Sequence, residues 1–153
     1  MSRFKKIIVA LLIVFIAIQF VQPAHNTSGQ VLATDITKVF FVPDSLQMLL
    51  KTACYDCHSN NTNYPFYAYI QPLGWLLNSH IQKGKKQLNF NNFGSLPKRR
   101  QASKLKSIVS QIKDEAMPLP AYTMLHKNAI LTKEKKDLII NWANILKDSL
   151  SQF

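Results

Sequence analysis

Two cysteines stand three residues apart in this chain of 153 residues, and a histidine follows the second at once: Cys54-Tyr55-Asp56-Cys57-His58. No other cysteine occurs. The count excludes a disulfide-dense scaffold and a four-cysteine zinc site. It leaves a short helical turn as the constraint that any fold of this chain must satisfy. On such a turn positions i and i+3 share a face, so the two sulfurs lie side by side.

Two thiols in that relation can add to the two vinyl groups along one edge of a haem. The next residue, His58, then presents its imidazole to the iron from the proximal side. C-x-x-C-H is the attachment pattern of a c-type haem. Rival chemistries fit less well. A disulfide between Cys54 and Cys57 would close too short a loop to restrain the unfolded chain. A thiol–disulfide redox module of the thioredoxin kind needs a βαβ pattern, and none is visible. Zinc would need two further ligands, and the remaining histidines match no common finger spacing.

A second axial ligand is expected if the iron serves electron transfer, and a methionine thioether is the common partner of histidine there. Met48 precedes Cys54 by two turns of one helix and would need a reversal of the chain. Met117 lies in Glu115-Ala116-Met117-Pro118-Leu119-Pro120. Two prolines stiffen that loop. It is far enough beyond His58 to cross to the other haem face. Met124 lacks the adjacent proline. His80 and His126 are the alternatives to Met117, and His25 is poorly placed.

The chain opens with Arg3, Lys5 and Lys6, then runs from Ile7 to Val21 with Gln19 as its one polar residue. A cationic start and an apolar run indicate a signal sequence or signal anchor. The run is slightly short of the roughly 20 residues of a spanning helix. Its exit, Phe20-Val21-Gln22-Pro23-Ala24, offers no clean small-x-small cleavage site. Residues 1–24 are therefore read as an uncleaved, single-pass anchor, and release into the periplasm after cleavage is the alternative. The positive-inside rule places the rest outside the cytoplasm.

Lys and Arg number 19 against eight Asp and Glu, a net charge of +11. With residues 1–24 set aside, 16 cations face eight acids, or +8. An exported domain rarely meets nucleic acid. Spread over several segments, this charge reads as a solvated surface first, and second as docking charge for an acidic redox partner or for anionic lipid.

Residues 25–43 read as a linker, with extended character at Val39-Phe40-Phe41-Val42. The domain follows at 44–148. Asp44, with Gln47 three residues on, predicts a helix start, and Leu46, Leu49, Leu50 and Ala53 recur at helical spacing. Pro72 opens a second helix through Trp75, Leu76, His80 and Ile81, ending near Gly84. Ser95 and Pro97 open a third, with Leu105, Ile108, Val109 and Ile112 on one stripe. Thr132 caps a fourth, whose buried face is Leu138, Ile139, Trp142, Ile145 and Leu146. Loops are expected at 59–70, 87–96 and 117–131. The predicted class is all-α.

These residues bring a family into view. CYDCHSN at 54–60, YPFY at 64–67, Pro72 with Trp75, and His80 through LNF at 88–90 occur in order. MPLPAY at 117–122 and LTKEKKDLIINWA at 131–143 follow. In this order the chain resembles the small bacterial haem-binding domain family, whose layout is related to class I c-type cytochromes. An apolar first segment and an NTSG-containing linker, here at 26–29, belong to the resemblance. It implies a cytochrome c-like helical domain around one covalent haem c. By it Cys54 and Cys57 bond the haem, His58 is proximal and Met117 distal, with His80 also at a family-like position. Tyr64, Phe66, Tyr67 and Trp75 are candidate pocket residues.

The expected protein is thus a monohaem c-type cytochrome domain on the periplasmic face of a bacterial inner membrane. It is expected to be an electron carrier rather than an enzyme. The alternatives are a haem sensor or peroxidase-like enzyme with an open distal site, and a haem-free thiol–disulfide module.

Overall fold

The computed structural model describes residues 2–151. The protein is 68% helical, with no strand among the described residues, in agreement with the all-α expectation. The helices are α1 (Arg3–Ile18), α2 (Ile36–Val39), α3 (Asp44–Ala53), α4 (Tyr55–His58), α5 (Leu73–Gln87), α6 (Lys98–Lys113), α7 (Pro120–Leu125) and α8 (Lys133–Ser151). Three 3₁₀ helices, Phe66–Tyr69, Phe90–Ser95 and Lys127–Ala129, occupy the segments expected as loops.

Helix boundaries follow local chemistry. Thr132 Oγ1 accepts from Lys135 N at the start of α8. Pro97 and Pro72 immediately precede α6 and α5, where a missing N–H costs nothing. Asp44 is the first residue of α3 rather than its cap, and Pro43 holds the cap position. Gln47 reaches back to donate to the Val42 carbonyl at 2.9 Å. Helix α5 runs past Gly84 to Gln87.

The main core is apolar. Leu46, Leu49, Leu50 and Ala53 line one face of α3, and Leu105, Val109 and Ile112 line α6. They close on Phe90 and Phe93, on Ile139 and Ala143 of α8, and on Ile36. A smaller cluster of Ala68, Leu77 and Ile81 lies under α5, with Cys57, Tyr64 and Tyr67 packed against it.

The stretch 25–43 is not a free linker. Asn26 is buried and donates from Nδ2 to Ser59 O and Thr62 Oγ1, both at 2.9 Å. Asp35 caps α2 by accepting from Thr37 N at 2.9 Å, and its other oxygen accepts from Asn91 Nδ2 at 2.6 Å. Isolated carboxylates are costly to bury, so these bonds are the condition for placing Asp35 there. Val39 ends helix α2 and is not part of a strand.

Past its cationic first turn of Arg3, Lys5 and Lys6, helix α1 is apolar all round, and it buries no residue. No helix among the described residues is long and apolar enough to cross a membrane. At 16 residues α1 measures about 24 Å.

Candidate haem site

The Cys-x-x-Cys-His segment folds as the break between two helices. Cys54 ends α3 with its N–H on the Leu50 carbonyl, and its own carbonyl accepts from Cys57 N at 3.2 Å and His58 N at 2.9 Å. Both thiols are free. Gly84 of α5 lies against this turn, where a Cβ would stand 2.6 Å from the Cys57 carbonyl oxygen. Only glycine allows α5 to come this close without displacing the turn.

Two neighbouring cavities open beside the turn, of about 330 Å³ and about 270 Å³. Both are walled by Ala53, Cys54, His58, Gln87, Met117 and Pro118. Leu50, Phe90, Ile108, Ile112, Leu131 and Ile139 give the larger an apolar wall, with Lys104, Ser107 and Gln111 also on its lining. Cys57, His80, Lys83 and Tyr122 line the smaller.

His58 is held in one orientation. Its Nδ1 lies 3.0 Å from the Leu88 carbonyl oxygen. A carbonyl only accepts, so Nδ1 carries the proton and the Nε2 lone pair is left for a metal. Burial pulls the His58 pKa down, against the raising effect of the Leu88 and Gly84 carbonyls. The ring is thus neutral, as ligation requires. Burial also pushes the thiols up, Cys54 to about 12 and Cys57 to about 11, with a smaller contribution from Cys57 on Cys54 and from Asp56 on Cys57. Nucleophilic exchange cysteines have the opposite shift. Among the described residues no three His, Cys, Asp or Glu side chains are grouped to hold a metal ion.

Met117 is delivered by the end of α6. Glu115 adopts a left-handed conformation, φ 55°. Ala116 N bonds to Gln111 O at 3.0 Å and Glu115 N to Ile112 O at 3.2 Å, the paired closure of a Schellman helix end. Met117 N shares the Gln111 carbonyl at 3.1 Å. The far end of the segment is tied by Tyr122 Oη, which donates to Asp56 Oδ2 at 2.6 Å inside the Cys-x-x-Cys-His turn. Burial raises the Tyr122 pKa, and the bond to Asp56 raises it further. Tyr122 falls in MPLPAY at 117–122, but nothing in the sequence pairs it with Asp56.

The other candidates separate. His80 lines the smaller cavity. His126 lines neither; it stacks on Tyr122 at 4.1 Å, and its Nε2 lies 2.8 Å from Tyr67 Oη. Met124 is exposed. Tyr64 and Tyr67 pack with Cys57 in the small cluster but wall neither cavity. Phe66 is 81% exposed, and Trp75 turns its Nε1 to the Val21 carbonyl at 2.8 Å. Of the expected aromatic pocket, Tyr64, Phe66, Tyr67 and Trp75 wall neither cavity; residues of α3, α6 and α8 do, with Phe90 and Tyr122 as the aromatic members.

Paired thiols, a neutral oriented imidazole, a thioether and apolar walls meet at one place, and this donor set fits a haem. The fold and the site define a helical haem-binding protein. The model of the haem-binding domain family matches residues 13–145, and the chain belongs to that family. No curated protein and no solved structure matches it.

Proposed function

We propose that this protein is a monohaem c-type cytochrome domain that carries electrons outside the cytoplasm. Cys54 and Cys57 form the thioether links, His58 Nε2 is the proximal ligand and Met117 the distal one. When bound, the haem supplies a one-electron iron couple; the chain supplies ligation, an apolar surround and a docking surface. The reading rests on one observation above the others. His58, oriented by Leu88, and Met117, placed by the end of α6, wall the same cavities as Cys54.

Helix α1 serves as the membrane attachment in this reading. Beyond Lys6 this helix is apolar on every side and buries no residue, a pattern that is stable where lipid replaces water. Its cationic start, Arg3, Lys5 and Lys6, leaves the haem domain on the periplasmic face of a bacterial inner membrane. The net positive charge steers encounter with an acidic redox protein, a rate effect that salt weakens. No enzymatic step and no nucleic-acid contact are assigned.

The optical spectrum of the haem-loaded protein tests the ligand set. The far-red methionine-to-iron band is expected in the oxidised protein, absent in Met117→Ala and retained in His80→Ala. Ready binding of carbon monoxide by the reduced wild-type protein would instead support the open-site sensor or peroxidase reading.

A further inference from the structure

Helix α1 joins the domain through a knot of glutamines. Gln71, fully buried, donates its backbone N–H to Gln19 Oε1 at 2.9 Å and its Nε2 to Gln22 Oε1 at 2.7 Å. Gln19 Nε2 donates back to the Gln71 carbonyl at 3.1 Å, and Gln22 Nε2 to the Tyr69 carbonyl at 3.2 Å. With Trp75 Nε1 on the Val21 carbonyl at 2.8 Å, these bonds fix residues 19–22 against 69–75. Gln71 is buried at the centre of this network, while the bonds around it are part-buried or exposed.

The knot is ringed by exposed apolar side chains. Phe20, Phe66, Tyr69, Leu73, Trp75 and Leu76 are 84%, 81%, 52%, 47%, 37% and 54% exposed. Gly74 makes them one surface, because any Cβ there would collide with the Ala68 carbonyl and push the Phe66–Tyr69 turn off α5. A clustered apolar patch on a folded domain marks a contact surface.

We propose that this patch is a lipid-contacting collar, seating the haem domain on the bilayer around the entry point of α1. The proposal rests on the reading of α1 as membrane-inserted. Three observations favour lipid over a protein partner. The apolar part of α1 emerges at the patch, so the phase that receives it also meets the collar. Trp75 and Tyr69 are the residue types that settle at the headgroup level. Finally, the apolar part of α1, Ile7 to Ile18, at about 18 Å falls short of a hydrocarbon core of about 30 Å, and an apolar collar at its end relieves that mismatch.

The full-length, haem-loaded protein is placed in phosphatidylcholine–phosphatidylglycerol vesicles containing a lipid with a photoreactive group high in its acyl chain. Adducts are mapped by mass spectrometry. The collar predicts adducts both within α1 and within residues 66–76. The double change Leu73→Ser, Leu76→Ser lowers the second set several-fold, with α1 labelling and the haem spectrum unchanged. Adducts confined to α1 overturn the collar and leave the anchor standing. Absence of adducts in both regions overturns the α1 reading and the collar with it. Cross-links from 66–76 to a second copy of the chain, in place of lipid, overturn the collar in favour of self-association.

Discussion

Cys54 and Cys57 lie on one helical turn, yet they face interiors of different kinds. Cys54 packs against the large cluster built from α3, α6, α8 and the Phe90–Ser95 turn. Cys57 packs against three small or medium residues, Ala68, Leu77 and Ile81. Around the smaller cluster the buried neighbours in sequence are polar: Ser59, Thr62 and Gln71. Apolar burial stabilises the first region directly. The second depends on hydrogen bonds that each yield little net free energy when made and cost more when broken. A haem linked to both thiols would join the two, so the weaker region should gain more from attachment.

The largest expected effect lies in the large cluster. Phe93 is fully buried, and Phe93→Ala should cost about 3–5 kcal/mol in denaturant unfolding. A cost near that of an exposed position would mean that this core does not carry the fold.

Asn91→Ala comes next. Asn91 Nδ2 donates to Asp35 Oδ2 at 2.6 Å, and its Oδ1 accepts from Asn60 N at 2.6 Å. Truncation leaves a buried carboxylate oxygen unpaired, for an expected loss of about 2–3 kcal/mol. Hydrogen exchange should show the loss at residues 59–62 as well as at α2. Protection unchanged at 59–62 would separate the two regions that this side chain joins.

Gly84→Ala forces a Cβ toward the Cys57 carbonyl and should cost about 1–3 kcal/mol, with a lower yield of haem-loaded protein. Wild-type yield and stability would show that α5 can retreat freely from the turn.

A gain is expected from Tyr55→Phe. The Tyr55 hydroxyl is buried with no hydrogen-bond partner among the described residues, while its ring stacks on Phe90 at 5.0 Å. Removing it keeps the stacking and should stabilise by up to about 1 kcal/mol. A loss of stability would reveal a partner for that hydroxyl in the haem-loaded protein.

The smallest effect concerns pH. Burial lowers the His58 pKa from 6.5, so in protein without attached haem the unfolded chain binds a proton that the folded chain resists. Stability is then fully present above the unfolded pKa and falls as pH drops below it. The fall should be shallower in His58→Gln, compared by unfolding across that range. Parallel curves would place the ring in water.

Much of the site could be read from residue spacing. The Cys54–His58 turn, the proline-stiffened approach to Met117, and the starts of α6 and α8 at Pro97 and Thr132 all rest on local chemistry within a few residues. The polar ties could not be read. Asn26, Asp35, Gln71 and Asn91 bond to partners some 30 to 60 residues away, and such pairs leave no periodic trace. Nor do 3₁₀ turns of three to six residues, which is why three of them hid in segments expected as loops. The aromatic run after His58 misled for a related reason. Tyr64, Phe66 and Tyr67 are candidate pocket residues that wall neither cavity, because Gly74 lets that turn pack on the start of α5. The cavity wall comes from residues such as Ile108, Ile112 and Ile139, whose helical stripe looks the same whether it faces a core or a cofactor.

The intact mass of the denatured protein, after expression with a cytochrome-maturation system, tests the covalent haem most directly. The account predicts a gain of one haem that survives denaturation, with a c-type pyridine haemochrome, and its reduction or loss in Cys54→Ala and Cys57→Ala. The mass of the bare chain, from a host that matures other c-type cytochromes, would contradict it.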